Sequence, residues 1–265
     1  MKQITSKSNA YIKNIRQLKK KRFRDETGKY YLEGLRLIGE ALRTDTNLES
    51  ILYCSDLLKS EFGWQAIKIA EEKGIEIIEV TEEVFQTFSL KEGSQGLAAV
   101  GKQKWNDLHE LLAPEGLWIV LDNIQDPGNL GTIMRSLDGA GGKGLILVGN
   151  STDAYHPTAV RSSTGALFSL NICKTTQQKL IEWKKNSSIA FIGTVCESAN
   201  SYKLCDYPEN MVLIMGSEQK GLQKEVIAIC DELITIPMGG SVDSLNLACA
   251  ASIVLFEIYD KRNRI

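Results

Sequence analysis

The sequence predicts an α/β protein with a parallel sheet in its second half and a smaller α/β unit in its first hundred residues. Three observations favour this fold class. Short, almost wholly apolar segments alternate with helical patterns after residue 116, residues 1–100 show an alternation of their own, and a polar segment containing Pro and Gly separates the two. Buried strands that alternate with helices are typical of parallel sheets covered on both faces.

The composition is that of an ordinary globular protein with one large domain or two modest ones. The chain has 265 residues, of which 43% are hydrophobic and 24% charged, and its formal net charge is −2. No apolar run is long enough to span a membrane and the N-terminus lacks the apolar core of a secretory signal, so we expect a cytoplasmic protein. Six Cys residues without a C-x-x-C pair, together with only two His, predict free thiols and no metal site.

The first unit opens with a basic arm, residues 1–24. This arm contains nine Lys and Arg residues and no acidic residue. Such a run is often only the solvated face of a helix, but on a chain of balanced charge it also indicates contact with phosphates. The candidate phosphate-binding residues are Lys13, Arg16, Lys19, Lys20, Lys21 and Arg22.

Helices and strands alternate through the rest of the first unit. The patterns predict a helix at 30–43, a strand at 48–54, a helix at 62–74, a strand at 75–80, a helix capped by Thr81 at 81–88 and a strand at 95–101. We therefore place a first domain at 1–103, a linker with one short helix at 104–116 and a second domain at 117–265.

The second domain alternates more regularly. Its predicted strands are 117–122, 144–149, 165–173, 188–195, 210–216 and 232–237. Its predicted helices lie near 129–138, 157–163, 176–186 and 222–230, and a last helix runs from about Ser244 to Tyr259. The last helix is apolar nearly all round, which predicts burial on more than one side, by its own domain or by a partner subunit.

Gly139, Gly141 and Gly144 have the G-x-G-x-x-G spacing of a dinucleotide-binding fingerprint. That fingerprint must follow a strand and open a helix. Here the glycines end a helix and lead into a strand, where Gly is favoured because it adopts the left-handed conformation. The spacing therefore gives little support to an NAD-dependent oxidoreductase.

Ligands of parallel sheets bind at the carboxyl ends of the strands, and three predicted strands end in unusual residues. After the first strand, Asn129 suits a helix N-cap, and Arg135 is the only cation of the helix that follows. Arg135 either extends to solvent or binds a phosphate or carboxylate. After the fifth strand, Glu218 stands in a loop between two glycines, which allow a ligand to approach the main chain. After the sixth, Asp243 or Ser244 can cap the last helix.

These strand ends carry three motifs. They are PGNLGTIMR at 127–135, GSEQKG at 216–221, and IPM at 236–238 followed by SLN at 244–246. Together and in this order, the motifs resemble those of the SpoU family of RNA ribose methyltransferases, within the SPOUT superfamily. The first domain, with YLEGLRLIGEAL and QGLAAV, is more loosely similar to the substrate-binding domain that precedes the methyltransferase domain in many members. That domain is itself similar to a small RNA-binding ribosomal protein.

The resemblance implies a methyltransferase domain whose C-terminal chain forms a deep trefoil knot, a rare exception to unknotted topology. Members of the family are usually homodimers through the knotted end. They use S-adenosylmethionine, which main-chain groups of the knot loops hold. Carried over to this chain, the resemblance places the cofactor on Gly216, Ile236, Met238 and Leu245, with Thr194 from the loop after the fourth strand.

The resemblance also implies methyl transfer to a ribose 2′-oxygen, for which the protein must align the oxygen and share its proton. Arg135 corresponds to the family's main catalytic residue, for which a general-base role has been suggested. Because a guanidinium is permanently protonated, we prefer that it binds the RNA phosphate and stabilises charge on the 2′-oxygen. Asn129 and Glu218 would hold Arg135 and the ribose in place. Ser244 and Asn246 would complete the pocket.

Alternatives remain beside methylation of ribosomal RNA. The chain could be a binding protein of the same fold that no longer catalyses, although its intact Arg135, Glu218 and Asn246 argue against this. It could also act on transfer RNA or on a base atom. The additional first domain favours ribosomal RNA, because the family couples such a domain more often to that substrate.

Overall fold

The computed structural model describes residues 2–44, 46–90, 94–108, 115–197 and 200–263. The chain forms two compact units, neither of which is contiguous in sequence. The first unit is Met1–Gln103 together with Asp153–Phe168, and the second is Lys104–Thr152 together with Ser169–Ile265. Each unit has a sheet and a hydrophobic core of its own.

The first unit contains a mixed sheet. Its strands are β1 (Lys2–Ile4), β2 (Lys29–Glu33), β3 (Leu48–Tyr53), β4 (Glu76–Val80) and β5 (Leu97–Lys102). The helices within 1–103 are α1 (Ala10–Gln17), α2 (Lys21–Thr27), α3 (Leu35–Arg43), α4 (Glu61–Glu72) and α5 (Glu82–Gln86). The strand order is β1-β4-β3-β5-β2, in which β5 runs antiparallel to both of its neighbours. Ile12 and Ile15 of α1 pack into the core of this unit with Phe85 and Phe88.

Residues 30–33 differ from the sequence prediction. They belong to strand β2, which pairs with β5, and the helix starts only at Leu35. Gly34, with a φ of 110°, separates the two elements in a conformation that favours glycine. The predicted helix at 30–43 is therefore wrong over its first residues, because the partner strand that decides their conformation lies far away in sequence.

The second unit contains a parallel sheet. Its strands are β6 (Leu117–Asp122), β7 (Gly144–Val148), β8 (Asn171–Thr175), β9 (Ala190–Thr194), β10 (Met211–Met215) and β11 (Glu232–Ile234). Its helices are α6 (Pro127–Gly139), α8 (Gln177–Lys185), α9 (Lys224–Ile227) and α10 (Leu247–Asn263), with the label α7 kept for Pro157–Ser163 in the first unit.

The strand order in this sheet is β11-β9-β10-β6-β7-β8, and every pairing between these strands is parallel. All residues of β6, β7 and β10 are buried. Since successive side chains point to opposite faces, both faces of the sheet are covered there. The predicted α/β class with a parallel sheet is confirmed, and the trefoil knot stays a prediction.

The start of α6 corrects a predicted cap. Asp126, not Asn129, is the N-cap, because its side chain accepts a 2.6 Å hydrogen bond from the Asn129 main-chain nitrogen. Pro127 occupies the first turn, where its missing N–H costs nothing. Asn129 therefore lies inside the helix with its own amide available for other partners.

Two more boundaries differ from the predictions. The last helix begins at Leu247, and Asn246 rather than Asp243 or Ser244 accepts hydrogen bonds from its first turn. The predicted strand at 165–173 is wrong in its first half, where Ala166–Phe168 forms a 3-10 helix. Left-handed backbone at the preceding Thr164 and Gly165 ends α7 and breaks any extended run.

A buried ion pair holds the segment Asp153–Phe168 in the first unit. The Arg24 guanidinium is fully buried, and its Nε donates to Asp153 Oδ2 at 2.7 Å while its Nη1 donates to the Leu18 carbonyl at 2.8 Å. The ring of Tyr155 packs on Tyr30, with 4.8 Å between centroids. Arg24 is thus a structural residue, although it belongs to the basic arm in sequence.

The domain boundaries at 103 and 117 stay a prediction. Asn106, in the predicted linker, bridges to Cys173 of the second unit. Residues 109–114 of that linker, with the short helix expected there, lie outside the described residues. Among the residues that are described, no helix combines the length and apolar character needed to cross a bilayer.

Candidate active site at the carboxyl edge of the parallel sheet

Four strand ends of the second unit lie side by side. Strands β11, β9, β10 and β6 are consecutive neighbours and run parallel. The loops that leave their carboxyl ends therefore meet at one edge of the sheet. Two of the sequence motifs begin in these loops and the first begins at Pro127, where the loop after β6 enters α6, so the fold brings together segments that lie far apart in the chain.

A chain of side-chain hydrogen bonds joins the three motifs. Asn129 Nδ2 donates to Glu218 Oε1 at 3.1 Å. Asn246 Nδ2 donates to Asn129 Oδ1, also at 3.1 Å. Asn129 is thus the central member, using its donor toward one loop and its acceptor toward another. This arrangement fixes the orientation of its amide and connects α6 with the loops after β10 and β11.

Asn246 has a second function at the start of α10. Its Oδ1 accepts from the main-chain nitrogens of Ala248 at 2.9 Å and Cys249 at 3.3 Å. These N–H groups have no partner within the helix, and a side-chain acceptor at this position stabilises the helix start. One amide therefore caps α10 and orients Asn129.

The loop after β10 is a tight reversal built on two glycines. Ser217 and Gly221 exchange two main-chain hydrogen bonds of 3.2 and 3.0 Å. A Cβ on Gly216 would lie 2.0 Å from the carbonyl carbon of Gly221, and Gly221 itself has a φ of 63°. Neither position accepts a side chain without rearrangement. The reversal presents Glu218 at its tip.

A cavity of about 510 Å³ adjoins this reversal. That volume lies within the range of about 300–1,000 Å³ typical of small-molecule sites. Glu218 and Ser244 from the predicted catalytic set line it. The structure also brings to its wall all the residues predicted to bind a cofactor, namely Thr194, Gly216, Ile236, Met238 and Leu245.

Arg135 stands apart from these contacts. It is exposed on α6, whose opposite side buries Leu130, Ile133 and Leu137. Within the part of the chain that the structure describes, its guanidinium has no hydrogen bond or ion pair, and it does not line the cavity. The expectation that Asn129 and Glu218 hold Arg135 stays a prediction.

The sequence analysis did not predict the hydrogen bonds that hold the loop at the end of β6. Asn123 has a left-handed φ of 58°, donates to Asp122 Oδ1 at 2.7 Å and accepts from the Asn150 nitrogen at 3.0 Å. A Cβ on Gly149 would strike the Asn123 side chain at 2.5 Å. These contacts tie the loop before α6 to the loop after β7. The only signal in the sequence is a polar pair at the end of an apolar strand.

Asp122 is almost completely buried at 2% exposure, and its Oδ2 has no hydrogen-bond partner among the described residues. Burial raises the pKa of this carboxyl, and the hydrogen bond from Asn123 opposes the rise. The end of β6 thus carries a carboxyl group whose charged form is disfavoured.

The basic arm divides into paired and unpaired cations. Arg22 pairs with Glu26 at 2.7 Å, and Arg16 donates to the Lys7 carbonyl. Lys19 reaches the Ser89 carbonyl at 3.5 Å. In the described chain no side-chain partner binds the remaining candidates, Lys13, Lys20 and Lys21, which are exposed. These three are free to contact phosphates.

Comparison with protein families decides the identity of the second unit. Residues 116–256, more than half of the chain, match the model of the SpoU rRNA Methylase family. The chain belongs to the SpoU rRNA methylase family. Residues 9–99 of this family member match the MRM3-like substrate binding domain, which agrees with the looser resemblance of the first unit.

Solved structures of the SpoU family resemble the chain over its whole length. An AdoMet-bound rRNA methyltransferase from Sinorhizobium meliloti is 33% identical, with a TM-score of 0.90 and coverage of 100% of this chain and 99% of that one. The SpoU methyltransferase AviRb from Streptomyces viridochromogenes, in complex with AdoMet, is 28% identical with a TM-score of 0.84, and 96% and 99% of the chains are covered.

A curated relative shows the same full-length correspondence. The 23S rRNA (guanosine(2553)-2'-O)-methyltransferase RlmP of Bacillus subtilis is 29% identical over 97% of this chain and 99% of its own length. The 23S rRNA (uridine(2479)-2'-O)-methyltransferase of Streptomyces viridochromogenes is 28% identical, with 98% and 92% covered. These two relatives modify different nucleotides, so the likeness assigns no nucleotide to this chain.

Proposed function

We propose that this SpoU family member transfers a methyl group from S-adenosylmethionine to a ribose 2′-hydroxyl of 23S ribosomal RNA. The observation that carries the proposal is the hydrogen-bond chain from Asn246 through Asn129 to Glu218, which joins the three family motifs beside a cavity of cofactor size. The names of the full-length relatives support the ribosomal substrate and the ribose position.

The residues around the cavity suit S-adenosylmethionine. Met238 and Leu245 each expose 37% of their surface at its rim, and a bound ligand with apolar parts would cover them. The glycine reversal at Gly216 leaves main-chain groups accessible there. Thr194, Gly216, Ile236, Met238 and Leu245 are the residues that would hold the cofactor. When bound, it supplies a methyl group on a sulfonium sulfur, which is a good leaving group.

The side chains of this protein provide position and charge. Arg135 is an exposed cation with a planar fork of donors, which suits two-point binding of an RNA phosphate next to the target ribose. The same charge stabilises the 2′-oxygen as its proton leaves toward that phosphate. Asn129, oriented by Glu218 and Asn246, offers a fixed amide to the ribose.

We infer a homodimer from the exposed side of α10. Ile253, Phe256 and Tyr259 follow one stripe of this helix and expose 37%, 48% and 44% of their surface. The rings of Phe256 and Tyr259 contact each other, with centroids 6.3 Å apart. An apolar patch of this kind on a helix that already packs on α6 supports contact with a second copy.

The experiment that tests the function is methyl transfer from labelled S-adenosylmethionine to purified 23S ribosomal RNA, followed by mapping of 2′-O-methyl positions with and without the gene. We expect one modified ribose in 23S RNA. Arg135→Ala should abolish the transfer and leave cofactor affinity nearly unchanged, because other loops line the cavity. Arg135→Lys should rescue poorly, because a point charge does not replace the planar fork.

Three outcomes would contradict the proposal. Label that enters transfer RNA but not ribosomal RNA would assign a different substrate. Cofactor binding without transfer to any RNA would make the chain a binding protein of this fold. A near wild-type rate for Arg135→Lys would remove the two-point binding of phosphate from the mechanism.

A further inference from the structure

The first unit contains a small groove that the proposed chemistry does not use. It has a volume of about 100 Å³ and lies between α1, α2 and the sheet. Ile15, Leu18 and Val100, all buried, form its floor. Tyr11 and Phe23, which are only partly buried and pack against the core, form its aromatic walls.

The aromatic wall at Tyr11 is held rigidly. Its hydroxyl is hydrogen-bonded to the buried Ser50. Burial raises the pKa of Tyr11 to about 12, so the phenol stays neutral at physiological pH. A neutral ring fixed by packing and by one hydrogen bond is a preformed stacking surface, and stacking on it costs little side-chain entropy.

The rim of the groove carries both hydrogen-bond donors and acceptors. The exposed Asn14 amide has no partner within the described chain. Lys29 Nζ lies 2.6 and 2.8 Å from the two carboxylate oxygens of Glu49 on the other side. An amide and a carboxylate beside apolar walls match a flat ring with polar edges, such as a nucleobase.

One unpaired lysine beside the groove suits a phosphate. Three carboxylates in this region are matched by a cation, in the pairs Glu26–Arg22, Glu49–Lys29 and Glu76–Lys2. Lys20 is the N-cap residue of α2, three residues before Phe23, and it has no ion-pair partner among the described residues. Lys13 lies on the opposite side of α1 from Tyr11 and Asn14, so Lys20 is the unpaired cation beside this wall of the groove.

We propose that this groove binds one unstacked nucleobase of a single-stranded RNA segment, which stacks on Tyr11 and Phe23 while Lys20 contacts an adjoining phosphate. The proposal rests on the proposed function for the nature of the substrate as RNA. Base-specific contact to splayed bases and phosphate contact by flanking lysines are the usual division of work in RNA recognition. The groove would therefore select unpaired RNA, whereas the second unit performs the transfer.

The test uses the full-length protein and a short single-stranded oligoribonucleotide with 2-aminopurine at its centre, whose fluorescence is quenched by stacking. The wild-type protein should quench the probe. Phe23→Leu should weaken binding by about 5- to 150-fold, the equivalent of about 1–3 kcal/mol for one base stacked on an aromatic ring. Its slope against salt should be unchanged, because no phosphate contact is lost.

Matched controls separate stacking from general damage. Phe62→Leu makes the same substitution at an exposed phenylalanine of α4 outside the groove and should bind like wild type. Tyr11→Phe keeps the ring and should retain most of the quenching. Asn14→Ala, at an exposed position that folding does not require, should weaken binding by about 2- to 13-fold, as expected for one hydrogen bond, and change the preference among the four bases.

Several results would overturn the inference. They are absence of quenching with wild type, equal affinity of Phe23→Leu and wild type, and equal loss of affinity for a blunt RNA duplex. A change in sedimentation mass on Phe23→Leu without a change in RNA affinity would assign the groove to a second copy of the chain instead. If ribosomal RNA is methylated and its KM is unaffected by Phe23→Leu, the proposed function stands and the groove does not bind the substrate. If RNA binding depends on Phe23 but no RNA is methylated, the groove binds RNA and the proposed function is wrong.

Discussion

Asn246 uses the two ends of one amide for different purposes. Its oxygen caps α10, and its nitrogen donates to Asn129. A carboxylate at this position can do the first and not the second. The two roles are therefore separable by substitution, which allows the hydrogen-bond chain to be tested without loss of the helix.

We expect Asn246→Asp to unfold with about the wild-type free energy, because aspartate is an equally good cap. Methyl transfer should nevertheless fall, because Asn129 loses the donor that orients it. Asn246→Ala should lose the same activity and also about 0.5–2 kcal/mol of stability. Urea unfolding and single-turnover rates of both variants check this, and wild-type turnover by Asn246→Asp would rule out the orienting role.

The pH dependence of stability should report the buried Asp122. Its pKa is raised in the folded protein because burial penalises the carboxylate. The raised pKa therefore contributes to the free energy of unfolding at pH values below the unfolded pKa of about 3.9. This contribution is lost as the pH rises through the higher pKa of the folded protein. Asp122→Asn removes the buried charge, so relative to wild type the variant should gain unfolding free energy as the pH rises from about 4 to neutrality.

The measurement is urea unfolding of wild type and variant across that pH range. A difference between Asp122→Asn and wild type that is constant with pH would mean that the carboxyl titrates alike in the folded and unfolded chain.

The boundaries of the helices and strands show which parts of the fold could be predicted from the sequence. The buried strands β6, β7 and β10 are uninterrupted apolar runs, and local composition suffices to predict them. Residues 30–33 fit a helical period equally well and become a strand only because β5 pairs with them. Pairing between distant segments is not encoded in local periodicity.

For the candidate site, the sequence predicted the residues but not their contacts. The three motifs predicted which residues matter, but their spacing in sequence does not show that Asn129 contacts both Glu218 and Asn246. That contact depends on the strand order β11-β9-β10-β6, which brings three distant loops to one edge. The caps at Asp126 and Asn246 were missed because several neighbouring residues are chemically equivalent capping groups.

At the scale of the helix, α10 should form the subunit contact. Phe256→Asp places a charge in its exposed apolar stripe and should give monomers or aggregates. Leu204→Asp, at an apolar residue that is 80% exposed and lies outside this stripe, should leave the assembly unchanged. Sedimentation equilibrium checks both, and a stable wild-type monomer at high concentration would exclude the homodimer.

At the scale of the whole molecule, the charge distribution is more informative than the net charge. The net charge is only −2, yet residues 1–24 hold nine cations and no anion. The structure reduces the cations that are available for RNA, because Arg24 is buried and Arg22 pairs with Glu26. Lys13, Lys20 and Lys21 remain as the cations of the arm that are available to contact RNA phosphates.

Neutralising these three lysines to glutamine should lower the slope of log affinity against log salt by about one unit per lost phosphate contact. The matched control changes three exposed lysines outside the arm, Lys59, Lys68 and Lys179. The arm variant should raise the RNA concentration needed for half-maximal rate more than it lowers the saturated rate, since phosphate contacts position the substrate. Equal slopes for the two variants would show that the arm is only a solvated surface.

The buried pair of Arg24 and Asp153 determines when the first unit can be completed during synthesis on the ribosome. The two residues are 129 positions apart, so at about 5–20 residues per second the ribosome adds Asp153 roughly 6–26 s after Arg24. During that interval the nascent first unit holds an arginine that its finished core will bury and a Tyr30 without its ring partner Tyr155. The unit that contains the match to the substrate binding domain is thus begun first on the ribosome and completed only after the segment that carries Asn129 and Arg135 has been made.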